Sequence, residues 1–114
     1  MKKKFSVKKN YQFKYIFKKG KTGHGKILKI IYINNNKGNN RIGIAVNKDI
    51  RTIPLKNRCK RLIRESFRQI SLKQGYDIII VWKDINTKYK QIEVLEDMKN
   101  IFKALELLDE EDVN

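Results

Sequence analysis

The stretch RIGIAVNKDIRTIPLKNRCKRLIRESFRQISLKQGYDIIIVWK, Arg41–Lys83, carries the plan of the fold. At its start Ile42, Ile44 and Val46 alternate with Gly43 and Ala45, the period of two that a half-buried strand requires. Pro54 then suits the first turn of a helix, where a missing N–H costs nothing, and Thr52 is available nearby as a cap. From about Pro54 to Lys73, Leu55, Cys59, Leu62, Ile63, Phe67 and Ile70 recur at steps of three and four, one apolar stripe along a cylinder, with Gly75 placed to terminate it. Tyr76–Lys83 follows as a strand whose unbroken apolar run predicts burial on both faces.

Upstream, KILKIIYIN (Lys26–Asn34) is rich in β-branched residues and reads as another strand. The loop NNNKGNN between it and Arg41–Val46 is dense in Asn and Gly, which tolerate positive φ, so the two strands are expected to form a hairpin. Farther upstream, Asn10 can cap a short helix with Phe13, Ile16 and Phe17 at helical spacing, and Gly20 stands where a left-handed residue would close it. Downstream, a last helix is expected over about Tyr89–Leu108, with Ile92, Leu95, Met98, Phe102, Leu105 and Leu108 toward the core. The resulting order, α‑β‑β‑α‑β‑α, is an α+β domain in which helices pack on a small mixed sheet.

At 114 residues, positions 1–114 are expected to form a single domain. Lys and Arg number 27 against 12 Asp and Glu, a formal charge of +15, and such an excess calls for an anionic partner. The longest apolar run, Ile78–Trp82, is far too short to span a bilayer, and no signal-peptide core follows Met1, so a cytoplasmic protein without membrane contact is expected. Cys59 has no partner for a disulfide and reads as a small buried apolar residue, while the lone His24, in the Gly-rich stretch Gly20–Gly25, reads as an exposed loop residue. Leu105–Asn114 carries five acidic residues and no basic one; a flexible, solvated tail over about 106–114 is expected, with competition for the basic surface as the sharper alternative.

Removing the apolar stripe from the central helix leaves Lys56, Asn57, Arg58, Lys60, Arg61, Arg64 and Arg68. Asn57, Arg61, Arg64 and Arg68 fall at i, i+4, i+7 and i+11, along one edge, with Lys56 and Lys60 one row over. Glu65 is the only carboxylate on that face, so these cations are largely free of helical ion pairs. Lysines alone would suit a merely solvated face; arginines point toward bidentate phosphate contact.

The helix KNRCKRLIRESFR, Lys56–Arg68, resembles the signature helix of the bacterial ribonuclease P protein family, whose motif reads RNR‑x‑KR‑x‑x‑R. Asn57, Arg58, Lys60, Arg61 and Arg64 fall on motif positions, and Lys56 replaces the usual first Arg. KKNYQFKYIFKKG (Lys8–Gly20) is similar to the family's first helix and RIGIAVNK (Arg41–Lys48) to the strand before its basic helix. YDIIIVWK and the closing helix continue the pattern, so nearly the whole chain is covered. Ile53‑Pro54 stands where many members have Ala‑Val, and Arg51 where many have Gly. The resemblance implies a ribosomal protein S5 domain 2-like fold with a left-handed βαβ crossover.

It also implies a division of labour in which the catalyst is an RNA subunit using Mg²⁺, and the protein assists removal of the 5′ leader from precursor tRNA, one protein per RNA. Lys56, Asn57, Arg58, Lys60, Arg61, Arg64 and Arg68 would then bind the RNA subunit. In the family, a cleft between the first helix and the sheet takes the single-stranded leader; Phe13, Phe17, Tyr32 and Lys48 are its candidates here, with Ile31 in place of Tyr32 on an ungapped reading. Phe13 and Phe17, one turn apart, could equally be ordinary core. Lys14, Lys18, Lys19, Lys21 and Arg51 are candidate flanking phosphate contacts, and Arg41 matches a family position that serves structure or RNA. No catalytic side chain and no metal-binding motif is expected in the protein. The competing readings are another ribosomal or RNA-assembly protein of the same fold class, an independent nuclease, and a membrane-surface protein.

Overall fold

The structure is a computed structural model that describes residues 10–109; the side chain of Asn10, and with it the expected helix cap, lies outside the described residues. Its elements are α1 (Asn10–Lys19), β1 (Lys21–His24), β2 (Leu28–Asn34), β3 (Arg41–Val46), α2 (Ile53–Phe67), β4 (Tyr76–Trp82) and α3 (Gln91–Ala104). The four strands form one mixed sheet in the order β1‑β2‑β4‑β3, with β1–β2 and β2–β4 antiparallel and β3–β4 parallel. The α+β class with helices on a small mixed sheet is therefore as expected, and β3, α2 and β4 make a parallel βαβ unit.

The expected hairpin between β2 and β3 does not form, because β4 lies between them. A run such as Ile78-Ile79-Ile80 is best buried on both faces and both edges, which only a central position provides. The Asn-rich connection instead caps the sheet. Asn35 N–H donates to the Gly75 carbonyl at 2.8 Å, Asn40 Nδ2 donates to the Lys73 carbonyl at 2.9 Å, and Tyr76 N–H donates to Asn40 Oδ1 at 2.8 Å. The true hairpin joins β1 to β2, and β1 places His24 on an edge strand, where it is exposed.

The sheet divides two cores of unequal size. Leu28, Ile30, Ile42, Ile78, Ile80 and Trp82 face α2 and α3, which supply Cys59, Leu62, Ile63, Val94, Met98, Ile101 and Phe102. On the other face, among the described residues, Ile31 and Ile79 cluster with Ile16 of α1, flanked by Phe13, Ile33 and Val81. Burial raises the Cys59 thiol pKa, as suits a packed apolar residue.

Both long helices are shorter than their apolar stripes suggest. α2 ends at Phe67, so Ile70 is buried from the segment beyond it, and Leu55, at the opposite end, is 39% exposed. Gly75, with φ +102°, turns the chain into β4 and caps no helix. In α3 the buried set is Val94, Met98, Ile101 and Phe102, whereas Ile92 is 57% exposed. Past α3, Leu107 and Leu108 are buried and Leu108 bridges Leu72, so the expected loose tail is pinned at least as far as Asp109, whose N–H donates to the Ser71 carbonyl at 3.0 Å. Residues 110–114 lie outside the described residues.

Gly20 closes α1 through its N–H, which donates to the Ile16 carbonyl at 2.7 Å, but it does so with an ordinary negative φ. Its requirement is space: a Cβ here would stand 2.6 Å from the Ile16 carbonyl oxygen and 2.7 Å from both Ile31 Cγ2 and the Tyr32 carbonyl oxygen. α1 thus runs straight into the sheet with no room for a side chain at the junction.

Candidate nucleic-acid interface

α1 lies across β2 and β4 as a lid on the minor core. Its amphipathic pattern buries Ile16, leaves Phe13 half-buried beside it, and projects Phe17 outward, 43% exposed. Phe17 is therefore not part of the buried core. Lys14, Lys18 and Lys19 on α1, and Lys21 just past it, are exposed.

Strand alternation decides which β2 residues join this surface. Ile31 and Ile33 face α1, and so does Lys29, whose Nζ reaches within 5.8 Å of the Phe17 ring centre. Tyr32 points the other way, onto the major core, where it makes an edge-to-face contact with Tyr76 at 5.5 Å between centroids. Tyr32, expected as a cleft residue, is therefore on the opposite face of the sheet from α1, and Ile31, the other residue that position could have been, is on the α1 face. Lys29 was not anticipated, although the alternation that selects Ile31 selects it too. The strand register sets Lys29, Val81 and Ala45 in one row across the sheet, and Lys48 is exposed in the turn just beyond that end of β3. Toward the other end of α1, a groove of 500 Å³ is lined by Tyr11, Tyr15, Ile33, Asn34, Arg41 and Asp77.

Arg41 and Asp77 are built into the floor there. Arg41 Nε donates to Asp77 Oδ1 at 2.8 Å, a second guanidinium N–H donates to Oδ2, and Asn35 Nδ2 donates to Oδ1 at 2.8 Å. Burial alone would raise the Asp77 pKa; the donated bonds from Arg41 and Asn35 outweigh it and hold the carboxyl below the usual carboxylate range. Of the two roles open to Arg41, structure is the one these contacts fill.

The basic helix lies on the opposite side of the sheet. Asn57, Arg61, Arg64 and Arg68 are exposed along one edge of α2, and Lys56 and Lys60 are half-buried beside them. Arg61, Arg64 and Arg68 line a second groove of 520 Å³ whose floor is Ile42, Ile44, Phe67 and Ile70. Arg58 differs from its neighbours: its Nε and Nη2 donate, each at 3.0 Å, to the Thr87 and Tyr89 carbonyls in the loop before α3. That pairing could not be read from helical spacing, because its acceptors are backbone groups 29 and 31 residues away. Among the described residues no three His, Cys, Asp or Glu side chains gather where they could hold a metal ion, and no helix is long and apolar enough to cross a membrane.

A sequence model of the family described as Ribonuclease P matches residues 1–106. The ribonuclease P protein component of Clostridium kluyveri is 31% identical over 103 residues, covering 87% of this chain and 92% of the relative. That of Thermoanaerobacter pseudethanolicus is 42% identical over 77 residues, 66% of each. Among solved structures, a Staphylococcus aureus RNase P protein mutant with defective mRNA degradation activity aligns with a TM-score of 0.83 at 26% identity, covering 93% of this chain and 92% of that one. The Thermotoga maritima RNase P protein aligns at 0.76 and 24% identity over 87% of this chain and 96% of that one, a likeness of fold.

Proposed function

Because this chain belongs to the ribonuclease P protein family, we propose that it is the RNA-binding subunit that assists a catalytic RNA, working with Mg²⁺, in cutting the 5′ leader from precursor tRNA in the cytoplasm, one protein per RNA. The observation that carries this reading is the separation of two unlike surfaces by one sheet. On one side stand exposed arginines with few carboxylates to neutralise them; on the other stands an open aromatic ring beside the Lys29 ammonium, on a helix that also carries exposed lysines.

The two surfaces suit two RNA forms. Guanidinium groups spaced along a rigid helix match the phosphates of a folded RNA and position it without reading its bases. An exposed Phe flanked by lysines suits unpaired bases, which stack on aromatic faces while their phosphates meet nearby cations. Arg61, Arg64, Arg68 and Asn57, with Lys56 and Lys60 beside them, would contact the RNA subunit, and Phe17, Phe13, Lys29 and Lys48 the leader. Arg58 serves that surface by fixing α2 against the 83–90 loop.

The test is reconstitution. The purified protein, freed of RNA, is mixed with its cognate RNA subunit and 5′ processing of precursor tRNA is followed at low Mg²⁺. Stimulation of cleavage that neither component achieves alone supports the reading; cleavage by the protein alone, or no stimulation at any protein concentration, would sink it.

A further inference from the structure

The groove beside the C-terminal half of α2 has a floor and a rim of opposite character. Ile42 and Ile70 are buried in its floor, Ile44 and Phe67 are half-buried there, and Arg61, Arg64 and Arg68 line it from the helix. The Phe67 ring is braced by Phe102, edge to face at 6.3 Å between centroids, which makes the floor rigid. β3 is the outer strand of the sheet, and no further strand among the described residues closes the groove on that side. Its volume, 520 Å³, falls within the range of about 300–1,000 Å³ usual for small-molecule sites. One lining residue does not fit a surface made for phosphates alone. Glu65 is half-buried in the wall of the groove, with Arg61 one turn before it and Arg68 one turn after, yet among the described residues its carboxylate forms no ion pair. A carboxylate there repels a phosphate and attracts N–H donors.

We propose that this groove takes one unpaired guanine of a folded RNA, with the ring laid on the apolar floor, N1–H and N2–H donated to the Glu65 carboxylate, and the flanking phosphates on Arg64 and Arg68. The inference rests on the RNA-binding reading and goes beyond it, because phosphate contacts carry no sequence information whereas this slot reads a base. Floor, rim and wall agree on that ligand. An apolar floor with one aromatic ring suits a flat π system, and bases splayed out of loops and bulges are held on aromatic faces and guanidinium planes. Three arginines against one carboxylate leave positive charge for the backbone that enters and leaves the slot. The carboxylate singles out guanine. Guanine alone has two adjacent N–H donors on its Watson–Crick edge to match two carboxylate oxygens, whereas each of the other bases sets an acceptor beside its donor. A base paired within a duplex cannot enter, so the slot selects RNA that offers a guanine in a bulge or loop.

The experiment uses the full chain and four short RNA hairpins that differ at one position only: a bulged guanosine, a bulged uridine, an abasic bulge, and no bulge. The δ-methyl signals of Ile42, Ile44 and Ile70 report on the floor, and those of Ile31 and Ile33 on the α1 face of the sheet. The guanosine hairpin should shift the floor methyls through its ring current and leave the α1-face methyls in place. It should bind roughly tenfold more tightly than the abasic hairpin and roughly fivefold more tightly than the uridine hairpin. Glu65→Gln, a change at a half-buried surface position, should erase the preference for guanosine over uridine and bind the unbulged hairpin at least as tightly as the parent. Floor methyls unmoved by the guanosine hairpin, or α1-face methyls moving in their place, overturn the slot and leave the phosphate contacts of α2 standing. A guanosine preference that survives in Glu65→Gln overturns the assignment of the carboxylate. If none of the four hairpins binds, the RNA-binding reading falls and the slot falls with it.

Discussion

The Lys29 ammonium lies 5.8 Å from the centre of the Phe17 ring, joining β2 to the outward side of α1. At that distance a cation is attracted to the ring's face, which helps orient a side chain that packing leaves largely open. Because Phe17 is 43% exposed, its truncation leaves no sealed cavity. Phe17→Ala should therefore melt close to the parent, far from the 3–5 kcal/mol cost of about that size for a buried Phe. It should lose roughly 1–3 kcal/mol of precursor tRNA binding per stacked base, with mature tRNA unaffected. Thermal melting and the two tRNA affinities, measured on one variant, decide it; an unchanged precursor-to-mature ratio refutes the stacking role.

Arg58 and Arg61 should separate cleanly. Arg58→Ala removes charged donors from two backbone carbonyls and should cost about 1.5–3 kcal/mol of stability, with Arg58→Lys recovering little because one ammonium cannot span both acceptors. Arg61→Ala/Arg64→Ala should keep the parent's denaturation midpoint while weakening binding to the RNA subunit and flattening its salt dependence by about two in slope. Urea titration and binding across a salt series make the comparison. A stable Arg58→Ala would contradict the structural role.

The Arg41–Asp77 pair should set part of the acid sensitivity. The Asp77 carboxyl is held below its ordinary value, so its contribution is fully present above the unfolded carboxylate pKa of about 3.9 and disappears as the pH falls through the lower folded value. Asp77→Asn should cost about 2–4 kcal/mol near neutrality by leaving a mostly buried guanidinium unpaired. The gap to the parent should close as the pH drops from about 5 toward 2. Urea midpoints over that range check the sign; a gap that widened on acidification would be inconsistent with it.

Gly20→Ala tests the junction between α1 and the sheet. Two of the three atoms its Cβ would crowd are backbone oxygens, which cannot swing aside, so the helix itself must move. A loss of about 1–3 kcal/mol is expected from overpacking, together with weaker leader binding because Phe17 rides on the displaced helix. Amide shifts confined to α1 and β1–β2 would confirm the site of the damage; a variant as stable as the parent would mean the junction has slack.

What the sequence made legible was local. Apolar periodicity located α2, α3 and β4, and the cation spacing located the exposed edge from Asn57 to Arg68. It did not reveal β1, because Lys21-Thr22-Gly23-His24 is an edge strand with no apolar face to advertise it. It gave no sign that β4 would insert between β2 and β3, since that pairing is decided by burial of a distant run and not by the Asn-rich loop. Tyr32 and Ile31 are adjacent residues on opposite faces, so only the register with β4 could assign one of them to the cleft. The two acceptors of Arg58 are carbonyls, which every sequence position carries, and so leave no trace in composition.

β4 is the party wall of this molecule. Ile78, Ile80 and Trp82 are held by the major core and Ile79 by the minor one, all with no exposure to solvent. A shared wall has no spare side, and an altered residue there disturbs both rooms in the same event. Substitutions in α1 or α2 can be tuned one surface at a time; along β4, changes that harm the aromatic cleft and changes that harm the arginine edge should be inherited together, making this strand the least divisible part of the chain.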